Sequence, residues 1–220
     1  MSMKTIVFEH LAGLYEYPAA EYAHRVAACR QALNGNLAGS GQPLEIFEDH
    51  CSGLNAGELE EMFTRTFDFD PKRALEVGWH IYGEEYARGA LLVRLRQELR
   101  EHEIEESAEL PDHMTHVLTL LGRLEGQSAD ELAGRYVLPA LDLLLTAVAD
   151  SDNPYEPLLK VTREIVAAEH PDAVVGAPVE RRGKPPGWKN RLPMMQGMPS
   201  VAPDSGGAFV GGPRGSAQGD

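Results

Sequence analysis

Along the first 170 residues, apolar positions recur at the three- and four-residue intervals of one helix face, and no stretch sustains the alternation of a strand. Val7, Leu11 and Leu14 share a face, as do Tyr22, Val26, Cys29 and Leu33. Asn34-Gly35-Asn36 stops that pattern, and a Gly-rich loop is expected to run on to Pro43. Asn55 with Glu58 predicts an N-terminal cap for a helix bearing Leu59, Phe63 and Phe67, which Asp70-Pro71 closes. The next segment, Arg73 to Glu106, carries Ala87, Leu91, Leu95 and Leu99 at every fourth position, and Gly83 is expected to divide it into two helices. Pro111 suits the first turn of a helix presenting Met114, Val117, Leu118, Leu121 and Leu124. Ser128 and Glu131 read as a capping box opening a segment with Val137, Leu141, Leu144 and Val148, which Pro139 should kink. The last helix is expected to start at Asn153-Pro154, with Glu156 completing its cap, and to carry Leu158, Ile165 and Val166. The pattern predicts an all-α fold, a single bundle of about seven or eight helices over residues 1–170.

Beyond His170 the period disappears. Residues 171–220 hold eight of the fifteen prolines and ten of the twenty-two glycines, with isolated apolar residues, and a disordered tail is expected because so little apolar surface cannot offset ordering entropy. Its cluster Arg181-Arg182-Gly183-Lys184, with Trp188 and Lys189 following, reads as a solvated linker or as a segment that docks on a partner or on the chain's own body.

Charge sharpens the same division. Residues 171–220 contain six Lys/Arg and four Asp/Glu, so the whole-chain value of −14 leaves −16 on residues 1–170. Such a body repels nucleic acid and anionic lipid and steers basic partners toward itself. Cys29 and Cys51 stand far apart with no Cys-x-x-Cys, which argues against a disulfide framework or a cysteine-rich zinc site and fits a reducing cytoplasm. No apolar run approaches the roughly 20 residues that cross a bilayer, and Met1-Ser2-Met3-Lys4-Thr5 lacks the features of a signal peptide, so a cytoplasmic protein is expected.

Catalytic chemistry leaves few traces. There is no Gly-rich phosphate loop, no Gly-x-Ser-x-Gly and no His-Glu-x-x-His. His113-x-x-His116, close to Asp112 and Glu109, could set two imidazoles on one helix face, but two ligands do not make a metal site, and a surface helix start is the plainer reading. No metal or other cofactor is expected. Glu84, four residues before Arg88, suggests a helix-surface ion pair rather than paired catalytic acids with Glu85. The aromatic run Phe63, Phe67, Trp79, Tyr82 and Tyr86 fits a core. Phe69 and Trp79 flank a Pro-containing loop, however, and could line a groove for an amphipathic peptide whose arginines meet an acidic rim.

Four stretches, taken together and in order, resemble the NarJ family, the assembly chaperones of respiratory molybdenum nitrate reductase known as its delta subunit. They are Glu60-Glu61-Met62-Phe63-Thr64-Arg65-Thr66-Phe67-Asp68, Trp79-His80-Ile81-Tyr82-Gly83, Arg88-Gly89-Ala90 with Leu91 and Leu95, and Glu109-Leu110-Pro111-Asp112-His113-Met114. Asn153-Pro154-Tyr155-Glu156-Pro157-Leu158-Leu159 is similar to that family as well, and the likeness covers roughly residues 4–170. The resemblance implies a system-specific chaperone rather than an enzyme. Its client would be the apo catalytic (alpha) subunit, bound by its N-terminal segment and kept competent for molybdenum cofactor insertion and membrane assembly, with cofactor-biosynthesis proteins as further partners. It also implies a client-binding role for Phe63, Phe67, Trp79, Tyr82, Glu84, Glu85, Arg88, Pro111, Asp112 and His113. A chaperone for another molybdoenzyme and a small metal-binding helical protein are the alternatives.

Overall fold

The computed structural model describes residues 2–34, 41–149 and 151–176. These residues are helical throughout their regular parts, as the apolar period predicts, and their one extended pairing is an antiparallel bridge between Glu76 and His113. Helix α1 (Met3–Gly13) starts at Ser2, whose hydroxyl accepts the Thr5 N–H, and it buries Val7, Phe8 and Leu11. It lies tightly on α7 (Met114–Arg123) because Gly122 leaves room: a Cβ there would stand 2.8 Å from the Phe8 Cβ. Thr5 Oγ1 donates to the Gly122 carbonyl and Lys4 Nζ to the Leu124 carbonyl, both at 2.8 Å, which uses acceptors that the end of α7 would otherwise leave open.

Tyr22, Val26, Cys29 and Leu33 line the wholly buried face of α2 (Tyr22–Asn34). Beside it runs α3 (Gly41–Ser52), which buries Leu44, Phe47 and Cys51. The loop expected to reach Pro43 therefore ends earlier. Pro43 sits in the first turn of α3, where its missing N–H forfeits no helical bond, while residues 35–40 lie outside the described residues. The capping box at Asn55 and Glu58 is present and opens α4 (Ala56–Phe67), whose buried face holds Leu59, Phe63 and Phe67.

After a 3-10 turn at Pro71–Arg73, the chain forms α5 (Val77–Tyr82) and α6 (Tyr86–Glu101). Gly83 divides them at φ +58, a left-handed conformation that glycine adopts without a Cβ penalty. The helical stretch is shorter at both ends than Arg73 to Glu106, since residues 74–76 are extended and 104–110 form a loop. Leu91, Leu95 and Leu99 are buried along α6 as their spacing requires.

Helix α8 (Gly126–Leu132) begins two residues before Ser128, with Glu125 at the cap position and no side-chain cap bond, so Ser128 and Glu131 do not form the expected box; Glu131 pairs with Arg135 instead. A π turn at Ala133–Val137 leads directly into α9 (Leu138–Val148). That turn answers the kink expected of Pro139: a proline ring clashes with the carbonyl four residues back, and the wider turn relieves the clash. Helix α10 (Glu156–Glu169) packs on α9 and α3. Asn153 Oδ1 accepts the Tyr155 N–H at 2.9 Å, so the cap lies in the turn before the helix, and Glu156 pairs with Lys160. Residues 171–176 continue past α10 to the π turn, where the Gly176 N–H donates to the Gly134 carbonyl. The rest of the expected tail, with Arg181-Arg182-Gly183-Lys184 and Trp188, lies outside the described residues.

Candidate functional site

A cleft of about 590 Å³ opens where four parts of the chain meet: the turn after α1, the end of α4, the extended residues 74–76, and the loop leading into α7. Its inner wall is apolar and aromatic, made of buried Tyr15, Phe63, Phe67 and Leu75 with the His113 ring. The rings hold one another by edge contacts, with centroids 5.5 Å apart for Tyr17 and Phe63, 5.0 Å for Phe63 and Phe67, and 4.7 Å for Phe67 and Tyr155. Tyr15 donates its hydroxyl to Thr162 Oγ1 at 2.8 Å, anchoring the wall to α10.

Around this wall stand Glu16, Asp68, Glu76 and Glu109, and among the described residues no Lys or Arg lines the cleft. Glu16 is engaged by Arg25, whereas Asp68, Glu76 and Glu109 have no ion pair among the described residues. Burial pushes the Glu76 carboxyl above its ordinary value, and Asp112 and Glu109 add to the push against Arg88. A cation entering the cleft would relieve that repulsion.

Two of the walls are fastened by backbone pairing. The Val77 N–H donates to the Asp112 carbonyl at 2.8 Å and the Met114 N–H to the Leu75 carbonyl at 2.9 Å, so Glu76 and His113 face the same cleft. Behind the bridge, Arg88 donates Nε and Nη2 to the two oxygens of Asp112, which is fully buried. Trp79 supports the guanidinium, 5.7 Å from ring centroid to Cζ, and gives its indole N–H to the Pro71 carbonyl at 2.7 Å.

Both histidines are buried and serve as backbone acceptors, which replaces the surface helix start expected for them. His113 is itself the N-cap of α7: its Nδ1 accepts the Thr115 N–H at 3.3 Å. Burial and the neighbouring His116 push its pKa down to about 4. His116 Nε2 accepts the Ser107 N–H at 3.0 Å, which leaves the Nδ1 hydrogen to be donated to the Leu110 carbonyl at 2.9 Å. The imidazole thus pins the loop that forms one wall. Among the described residues no group of three or more His, Cys, Asp or Glu could hold a metal ion.

Of the residues singled out from sequence, Phe63, Phe67 and His113 meet in the cleft. Trp79, Arg88, Pro111 and Asp112 form its support from behind, with Pro111 buried in the turn before His113 rather than in the first turn of α7. Arg88 turns to Asp112 and not to Glu84, which precedes α6 and so lacks the helical spacing assumed for that pair. Tyr82 is buried against Tyr136, while Glu84 and Glu85 lie exposed at the turn between α5 and α6. Phe69 is 74% exposed and lies outside the lining. Sequence reasoning missed Tyr15, Glu16, Tyr17, Asp68, Glu76 and Glu109. The signal for the first three was a Glu flanked by two Tyr directly after a helix pattern ends and before Pro18.

A family model described as nitrate reductase delta subunit matches residues 34–160, more than half of the chain. The chain belongs to the nitrate reductase delta-subunit family. The matched region holds α4, the bridge and the loop wall of the cleft, whereas Tyr15, Glu16 and Tyr17 precede it. None of the curated proteins compared with the chain matches it. Membership supports a chaperone role in nitrate reductase maturation, in a family of maturation factors rather than catalysts. No helix among the described residues is long and apolar enough to cross a membrane.

Proposed function

We propose that this delta-subunit chain binds the N-terminal segment of the apo catalytic subunit of respiratory nitrate reductase in the cleft between the α1 turn, α4 and the α7 loop. The carrying observation is the pairing of a buried aromatic wall with a rim of Asp68, Glu76 and Glu109 that no Lys or Arg among the described residues lines. An amphipathic segment would set its apolar face on Phe63, Phe67 and Tyr17 and bring basic side chains to the rim. The net charge of −16 on residues 1–170, derived above, would speed that encounter by steering.

No chemistry is required of the chaperone. Affinity for the client's exposed N-terminus raises the population of the open, cofactor-free form, and cofactor insertion that withdraws the segment releases the chaperone. The meeting takes place in the cytoplasm before membrane docking, with residues 1–170 as the chaperone domain and cofactor-biosynthesis proteins as additional partners. Calorimetric titration of the full chain with the client's N-terminal peptide, at two salt concentrations, tests this. Saturable binding that weakens with salt is expected; absence of heat at either salt, with a scrambled peptide behaving identically, overturns it.

A further inference from the structure

The π turn between α8 and α9 creates a gap in the hydrogen bonding, and residues 173–176 fill it. Leu138 donates its N–H to the Ala133 carbonyl, five residues back, instead of to Gly134. The residue five beyond Gly134 is Pro139, which has no N–H to give. The Gly134 carbonyl is therefore left without a partner inside its own helix, and a buried carbonyl in that state is costly. Gly176 supplies the missing donor, at 3.1 Å. Gly134 also leaves the space: a Cβ on it would stand 2.5 Å from the Val174 carbonyl oxygen and 2.9 Å from its carbonyl carbon.

The strap is fixed at its other end by His170. Its carbonyl accepts the Ala173 N–H at 3.1 Å, and its own N–H closes α10 on Val166. The ring is buried, edge-on to Phe8 with 6.2 Å between centroids, and Nδ1 lies 2.9 Å from Asp130 Oδ1 on α8. Nε2 is buried and has no hydrogen-bond partner among the described residues. The charged groups facing the ring are Asp130 from α8, Lys4 from α1 and Glu169 from α10 itself. With Asp130 accepting at Nδ1, the neutral ring carries its hydrogen there and keeps Nε2 bare.

We propose that residues 170–176 form an acid-releasable latch, docked on the Gly134 notch while His170 is neutral and freed when Nε2 takes a proton. A proton at Nε2 puts an N–H with no acceptor into an apolar site beside Phe8. Desolvation lowers the His170 pKa from 6.5 and Lys4 lowers it further, against the Asp130 bond and the acidic neighbours. A lowered value in the docked state means that the docked state binds fewer protons. The neutral ring's contribution to docking is then fully present above about pH 6.5 and is lost as pH falls below it, by at most about tenfold in the undocking equilibrium for each pH unit. His113 is sensitive to acid over an overlapping range, but it caps α7 and is not part of residues 170–176, so its protonation acts on global unfolding and not on this docking equilibrium.

The test is hydrogen exchange on the full chain, read by NMR at the Gly176 and Ala173 amides as protection factors from pH 7.5 to 5.5, which removes the chemical pH dependence of exchange. Protection is expected to fall severalfold below about pH 6.5 while the α10 amides hold, with the His170 ring titrating over the same range. His170→Gln, which can still donate to Asp130 but cannot take the proton, should flatten the pH dependence. Gly134→Ala should remove the protection at every pH with the helical circular dichroism retained. Flat protection in the parent chain, or an unchanged pH dependence in His170→Gln, overturns the latch.

Discussion

Arg88 and Asp112 form a two-pronged ion pair, Nε to Oδ2 at 2.9 Å and Nη2 to Oδ1 at 3.3 Å, that joins α6 to the turn before α7. Asp112 is wholly inside while Arg88 keeps 18% of its side chain exposed, so the pair sits at the edge of the core. Asp112 uses its carbonyl for Val77 and its carboxylate for Arg88, so one residue holds the α5 entry and α6 together behind the cleft.

Removing one member of such a pair leaves the other charge without its partner. Asp112→Ala is expected to destabilise the chain by about 3 kcal/mol, the low end for buried pairs because Arg88 retains some solvent. Urea unfolding measures this, and Arg88→Ala combined with Asp112→Ala should cost less than the two single changes added. Additive losses would show that the pair does not act as a unit. Any loss of client affinity in Asp112→Ala would then arise through the cleft wall, since the carboxylate is closed to a client cation.

Gly78 is the complement of that pair. A Cβ at this position would lie 2.5 Å from Asp112 Oδ2 and 2.9 Å from Leu91 Cδ2. Gly78→Ala should cost about 1–3 kcal/mol by overpacking. The penalty should shrink in the Asp112→Ala background, where one of the two obstructions is gone; an undiminished penalty would place the strain on Leu91.

His113 predicts part of the acid sensitivity. Its pKa falls from 6.5 unfolded to about 4 folded, chiefly through burial, so the folded state resists protonation. The stabilisation is fully present above about pH 6.5 and is lost as pH drops toward 4, in total roughly 3 kcal/mol. Asn is a favoured N-cap with an oxygen acceptor and no titration in this range. His113→Asn should keep the cap to Thr115 and flatten the fall in Tm between pH 6.5 and 4.5; an unaltered slope would assign that sensitivity elsewhere.

The fold was legible where burial follows a helical period: Tyr22, Val26, Cys29 and Leu33 are buried as their spacing required, and the Asn55 and Glu58 cap is formed. It was less legible where a local signal competed with tertiary contacts. Ser128 and Glu131 match a capping box, yet the helix starts at Gly126. Pro43 reads as a breaker and proves to be a first-turn proline. The site was harder still, because Glu16, Asp68 and Glu109 stand far apart in the chain and are brought to one rim by the packing of α1, α4 and α7. The Pro111-Asp112-His113 run was visible as a motif, but its direction was not: Pro111 and Asp112 point the turn inward, and only the His113 ring reaches the cleft.

That difference decides which acids a client should feel. Glu109 is exposed at the rim, whereas Glu84 is exposed at the turn between α5 and α6, away from the lining. Both can be reversed without disturbing a buried group, so stability should change little in either variant. Reversal at the rim replaces an attraction by a repulsion in a partly enclosed site, and each exposed pair is worth about 0.2–1 kcal/mol. Glu109→Lys should therefore weaken binding of the basic N-terminal peptide about three- to tenfold, with the loss shrinking at high salt, while Glu84→Lys stays within about twofold. Titration of the two variants beside the parent chain separates the possibilities: a larger loss at Glu84 would move the client to the α5–α6 turn, and equal small losses would leave the apolar wall to carry recognition.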